Sequence, residues 1–178
     1  DFDISTDDIY REPDFSKLKD ALRKAAFQLC SPSVTVQKLI DRTPDPGTTD
    51  DAVPGAGWVI EGAVTAPGGY AWVLPVAESP GTGPKSTNTD STGFATFQWL
   101  SNAAGASNFT AIETIQSGFT NAQNETQCTY RTPDEPNDQL LTITPGNGSF
   151  NASIPQESIV TCRFVNIATP APAITLKK

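Results

Sequence analysis

From residue 33 to residue 169 the chain is cut by turn-forming clusters, DRTPDPGTTDD, APGG, SPGTGPKSTNTDSTG, TPDEPND and TPGNGS, into short segments in which apolar and polar residues alternate. Proline and glycine at that density interrupt any long helix, while alternation with a period of two gives each segment one face for a core and one for water. This pattern restricts the region to many short strands in two packed layers. We expect strands at 34–41, 57–65, 71–75, 93–100, 107–114, 127–131, 139–144 and 158–167. The fold class is therefore all-β, an Ig-like or prealbumin-like β-sandwich with an N-terminal helix.

The helix belongs to the opening segment, DFDISTDDIYREPDFSKLKDALRKAAFQLC, which is charged, free of glycine and periodic in the helical sense. Asp14 is placed to cap it, Phe15, Leu18, Leu22, Ala25, Ala26 and Leu29 form one apolar stripe, and Pro32 follows its end. The stripe predicts packing against a neighbouring surface. At the other end, TPAPAITLKK opens as a Pro/Ala linker and then repeats the start of the sandwich, with Ile174 to Lys178 aligned on Val34 to Lys38. The expected organisation is a helical segment over 1–32, a β-sandwich over 33–169, and a linker with the start of a further repeat over 170–178. Neither a signal-peptide pattern nor an initiator Met opens the chain, as expected of a processed protein or a piece of a longer one.

Several function classes are disfavoured at once. The chain has no His, the commonest catalytic base and metal ligand, so Ser/His/Asp hydrolysis, Cys/His proteolysis and ordinary zinc chemistry start from a weak position. A net charge of −8 without a basic patch argues against nucleic acid and is that of an acidic, solubilising surface. No apolar run approaches the ~20 residues of a membrane-spanning helix. Cys30, Cys128 and Cys162 lack paired CxxC spacing. Cys128 and Cys162 both fall in strand-like segments and are expected to form a disulfide, which implies an oxidising compartment. Cys30 is then left either with a partner outside this sequence or as a buried thiol.

Three polar residues break the alternation. In SVTVQKLID, Lys38 shares a face with Val34, Val36 and Ile40; in NFTAIETIQSGF, Glu113 shares a face with Phe109, Ala111 and Ile115; in SIVTCRFVNIATP, Asn166 shares a face with Cys162 and Phe164. Burying any of them alone is costly. A lysine, a glutamate and an asparagine on three strands, all directed inward, form a set.

Those segments resemble the Cna protein B-type domains, also called SpaA-like or prealbumin-like modules, of Gram-positive pilins and adhesins. The resemblance covers roughly residues 34–169 and rests on VTVQK, TDSTGFATFQWL, FTAIET with the following SGF, and FVNIATP. The family's T-D-x-x-G-x-x-x-F pattern is matched by Thr89, Asp90, Gly93 and Phe97. Its E-T-x-x-P-x-G-Y pattern is matched more loosely, by Glu113, Thr114 and Gly118, with no proline and with Phe119 in place of the tyrosine. What the resemblance implies is an intramolecular isopeptide bond between Lys38 and Asn166, with Glu113 as the catalytic proton shuttle and with no cofactor or metal. The physics is consistent with that division of labour, because burial favours a neutral amine and a neutral carboxylic acid alike. Attack of the amine on the carboxamide carbon, with Glu113 polarising the oxygen and relaying protons, would release ammonia. Phe94, Phe97, Trp99 and Phe164 are candidates for the dry wall or for ordinary core. The competing reading has Lys38 snorkelling to the surface, paired with Glu113, and Asn166 capping a strand.

The expected function is a structural stalk or spacer of a cell-surface adhesin or pilus, extracellular and cell-surface or cell-wall anchored, with neighbouring domains of the same protein as partners. It is no enzyme beyond a single self-crosslinking turnover. The alternative is an adhesive domain that binds host protein or glycan through exposed Trp58, Tyr70 and Trp72; a weaker one is an accessory module of a secreted enzyme. The helix running into the first strand resembles the end of a von Willebrand factor A-type domain, but DISTD has Asp7 where that family's metal motif has its second serine, so no metal site is expected. Asp45, Asp50 and Asp51 read as a solvated loop in preference to a calcium site. The Asn-x-Ser/Thr sites at Asn108, Asn124, Asn147 and Asn151 would matter only in a eukaryotic secretory pathway.

Overall fold

A computed structural model describes residues 17–19, 21, 22, 25, 32–43, 51–75 and 81–170. Among them are thirteen strands: β1 (Ser33–Asp41), β2 (Val53–Pro54), β3 (Val59–Thr65), β4 (Tyr70–Leu74), β5 (Lys85–Asn88), β6 (Phe94–Ser101), β7 (Ser107–Glu113), β8 (Phe119–Asn121), β9 (Gln127–Arg131), β10 (Gln139–Leu141), β11 (Ile143–Gly146), β12 (Ser149–Ile154) and β13 (Ile159–Ala168). They form two sheets. One runs β10-β9-β13-β1-β6-β4, with β2 beside β1 and β8 beside β13; the other runs β11-β12-β7-β3-β5. The sandwich expected from the alternation is present.

The first and last strands, β1 and β13, are parallel neighbours in continuous register from Ser33 opposite Ile159 to Asp41 opposite Ile167. On the opposite edge of β1, β6 pairs antiparallel, with Val34 opposite Phe97. Between the sheets, Val34, Val36, Ile60, Phe97, Trp99, Phe109, Phe150, Ile154, Val160 and Phe164 are fully buried. Trp99 stacks on Phe109 at 5.6 Å, and tilted ring contacts continue through Phe150 to Phe164. Such aromatic contacts add directional preference to the area they remove from water.

The strand boundaries depart from expectation where long-range pairing overrides local pattern. The single strand expected over 139–144 is two: β10 pairs with β9 in one sheet, and β11 pairs with β12 in the other. Thr142 marks the corner where the chain changes layer. β5, with the sequence KSTN, was hidden in a turn cluster because an edge strand paired only with β3 needs little apolar character. β12 lies in a stretch to which the sequence pattern assigns no strand, although Phe150, Ala152 and Ile154 alternate inward. It pairs with β11 around Asn147 and Gly148, a two-residue turn in which Gly148 takes φ 65°.

At the N-terminus, residues 17–19, 21, 22 and 25 are helical as expected. Leu18 and Leu22, however, are 45% and 62% exposed, so the apolar stripe is not packed at these positions. The resemblance to a von Willebrand factor A-type domain rests on residues that lie largely outside those described and gains no support. Cys30, Asp45, Asp50 and Lys178 also lie outside the described residues. Asp51 accepts a hydrogen bond from Thr43 Oγ1 at 2.7 Å, which suits an ordinary loop contact.

Candidate functional site

Period two decides the faces, and all three polar residues follow it inward. Lys38 and Asn166 are 0% exposed and Glu113 5%. Lys38 stands opposite Phe164 on β13, and Asn166 stands opposite Ile40, so the lysine and asparagine are diagonal neighbours on one face of one sheet. Glu113 ends β7 in the facing sheet. Its carboxyl joins the two: Lys38 Nζ lies 2.8 Å from Glu113 Oε2, and Asn166 Nδ2 donates to Glu113 Oε1 at 2.5 Å. The surface-snorkelling alternative for Lys38 does not fit this burial.

The lysine contact is close but misaligned, since neither Nζ nor Oε2 completes a well-angled hydrogen bond. Burial pushes the Lys38 ammonium down to about 8, against the opposing pull of the Glu113 charge. An amine so depressed stands closer to its neutral, nucleophilic form than a solvated lysine does. Nζ also lies 4.4 Å from the Trp58 ring centroid.

The T-D-x-x-G segment explains how Lys38 is aimed. Asp90 Oδ1 accepts from Thr92 N, Thr92 Oγ1 and Phe94 N, closing a tight turn. These donors, the Phe94 N–H foremost, hold the Asp90 carboxyl below the usual range. The turn presents Gly93, whose carbonyl accepts from Lys38 N at 2.7 Å. Gly93 has φ +82°, and a Cβ there would sit 2.6 Å from the Lys38 carbonyl oxygen, so only glycine permits this approach. Thr89 Oγ1 accepts from Trp58 N at 2.9 Å and donates to Gly55 O at 2.6 Å, while Gly55 N donates to Lys38 O at 2.9 Å. Thr89, Gly93 and Gly55 thus lock the backbones of Lys38 and Trp58 together. On the other sheet, Glu113 N donates to Gly148 O at 2.7 Å, which fixes the end of β7 against the β11–β12 turn.

Three expectations change. First, Glu113 faces the amide nitrogen of Asn166, not its oxygen; Asn166 Oδ1 instead accepts from Asn121 Nδ2 at 3.2 Å. Second, the wall around the amine is Trp58, with Phe119 edge-on to it at 5.3 Å. Phe97 and Trp99 belong to the central core, Phe164 lies opposite Lys38, and Phe94 is only half-buried. Third, the exposed aromatic cluster required by the ligand-binding alternative is absent, because Trp58 and Tyr70 are buried and Trp72 is half-buried against the core. Trp58 shares the parity of Ile60 and Val64 in the expected 57–65 strand, so alternation carries the signal for its burial. Asn121 was missed because β8 has three residues, although Phe119 and Asn121 alternate inward there.

The expected disulfide is present: Cys128 and Cys162 are directly opposed on β9 and β13 and are bonded, with a Cα separation of 4.0 Å.

No protein-family model matches the chain, and no curated protein does either. Among solved structures, the chain is similar to GBS52, the minor pilin of the Gram-positive pathogen Streptococcus agalactiae, at 16% identity over 82% of this chain and 48% of that one, with a TM-score of 0.44. It is similar to the major pilin of Streptococcus pyogenes at 12% identity over 76% of this chain and 47% of that one, TM-score 0.35. For the major pilin T-13 of Streptococcus pyogenes the values are 10%, 77% and 45%, TM-score 0.40. The chain spans about half the length of these pilins.

Proposed function

We propose that this chain is a load-bearing spacer of an extracellular surface protein or pilus, made inextensible by an autocatalytic isopeptide bond between Lys38 and Asn166. The observation that carries the reading is the bridging of Lys38 Nζ and Asn166 Nδ2 by the two oxygens of one buried carboxyl. Glu113 takes a proton from the Lys38 amine through Oε2 and returns one through Oε1 to the departing nitrogen. The Nζ–Cγ bond forms, the Cγ–Nδ2 bond breaks, and one ammonia leaves with no change in the total of protons. Packing three strands around one carboxyl supplies the effective concentration that an amine and an unactivated amide lack in water.

The mechanical role follows from where the bond would lie. β1 and β13 are adjacent and parallel. A pull on the chain before Ser33 and after Ala168 shears them in opposite directions. With Lys38 joined to Asn166, tension crosses after the first few residues of β1 and leaves by the last residues of β13, bypassing everything between. The neighbouring domains of the same polypeptide are the partners this geometry serves.

Single-molecule pulling between the termini tests the reading. The parent should show no unfolding event from the sandwich, whereas Lys38→Met should release roughly 350 Å of chain, the ~100 residues of 33–168 outside the Cys128–Cys162 loop at ~3.3–3.6 Å per extended residue. Equal extension in the two proteins would overturn the load-bearing role. An intact mass that equals the sequence mass after correction for the disulfide, instead of one ammonia less, would overturn the bond.

A further inference from the structure

Resting on the crosslinking reading, we propose that Asn121 is a second catalytic residue of that reaction, donating its side-chain N–H to Asn166 Oδ1 and stabilising the negative charge that develops there when Lys38 Nζ adds to Cγ. Both oxygens of Glu113 are engaged elsewhere, one with the amine and one with the leaving nitrogen. The acid is therefore not the group that meets the oxygen on which charge accumulates. That oxygen accepts from Asn121 Nδ2 at 3.2 Å. A fixed donor at such a position, held against a fully buried amide, acts on the transition state more strongly than on the ground state.

The placement is built into the fold. β8 pairs antiparallel with β13 so that Asn121 stands directly opposite Asn166. Asn121 Nδ2 also reaches Val165 O at 3.3 Å, and the next residue ties down the strand through Ala122 N to Val165 O at 2.8 Å. Phe119, two residues earlier, packs against the Trp58 ring that lies over the amine. One short strand thus supplies both an oxyanion donor and part of the dry wall. Asn121 Oδ1, by contrast, is buried without a partner. An amide with an unsatisfied oxygen is a poor device for stability alone, and its donor end is the end in use.

The test starts from chain that has never folded, purified in denaturant and refolded by dilution under oxidising conditions, with ammonia loss followed by intact mass. Asn121→Ala and the isosteric Asn121→Asp should fold but crosslink at least ~10-fold and up to ~1,000-fold more slowly than the parent, the upper range being that for loss of one oxyanion donor. The Asp variant should gain on the parent as pH falls, because a protonated carboxyl can donate where a carboxylate cannot. A purely structural role would not produce that trend. In the Lys38→Met background, where no bond forms, Asn121→Asp should leave the melting temperature within a few degrees. If Asn121→Ala does not fold, the Asp variant carries the measurement alone. Parental rates in the variants that fold would overturn the role of Asn121 and leave the crosslink standing; a parent that never loses ammonia would overturn both.

Discussion

On the proposed Lys38–Asn166 crosslink, two chemically unrelated substitutions should cost this protein the same stability. Lys38→Met removes the nucleophile while keeping an unbranched, apolar side chain of similar reach; Glu113→Gln keeps the shape of the acid and removes its ability to carry protons. Each leaves open a loop of roughly 130 residues between positions 38 and 166, and closing such a loop is worth about 5 kcal/mol in the chain-entropy treatment. At ~2.1 cal/mol/K per residue over the sandwich, that corresponds to a fall in Tm of roughly 15–20 °C. Because both changes delete the one proposed bond, the double variant should melt close to either single one, which is a large departure from additivity. The assay is a thermal melt of the parent, both singles and the double, each paired with an intact mass. Additive losses in the double variant, or a parent that melts with the variants, would refute the reasoning. So would variants that have lost the ammonia.

Three further outcomes follow from the same structure. In Asn166→Ala, which keeps Lys38 and Glu113 but cannot crosslink, the folded-state Lys38 value near 8 lies below its unfolded value of 10.5. The unfolded chain binds more protons between those values, so stability should rise with pH from about 8 to about 10.5, by on the order of 3 kcal/mol; denaturant melts showing a flat or falling trend would contradict the burial of an ionisable amine. Gly93→Ala should lower Tm and slow ammonia loss together, since a Cβ meets the Lys38 carbonyl at 2.6 Å in a left-handed conformation; an unchanged rate would show that the turn does not aim the lysine. Cys128→Ser opens a loop whose ends are 34 residues apart and should cost about 4 kcal/mol in the Lys38→Met background, by the same chain-entropy relation. The cost should be smaller in the parent if the proposed bond ties β13 to β1, and equal costs in the two backgrounds would argue against that tie.

What the chain wrote into its own sequence was parity. Alternation is a local property of an extended backbone, so SVTVQKLID, NFTAIET and VTCRFVN were enough to turn Lys38, Glu113 and Asn166 inward, to set Cys128 and Cys162 on strands, and to exclude a helical architecture. Parity does not specify neighbours. That β1 lies parallel to β13, that the 139–144 segment changes sheets at Thr142, and that Trp58 covers the amine are outcomes of pairings between segments far apart in the chain. The same holds at atomic scale: an inward asparagine and an inward glutamate were legible, but which end of the amide meets the acid depends on what stands on its other side. Asn121, carried there by a three-residue strand too short to announce itself, decides it. Local stereochemistry chooses a face for each side chain, whereas contact across the sandwich is settled only when the entropy of closing long loops is met by burying the whole core.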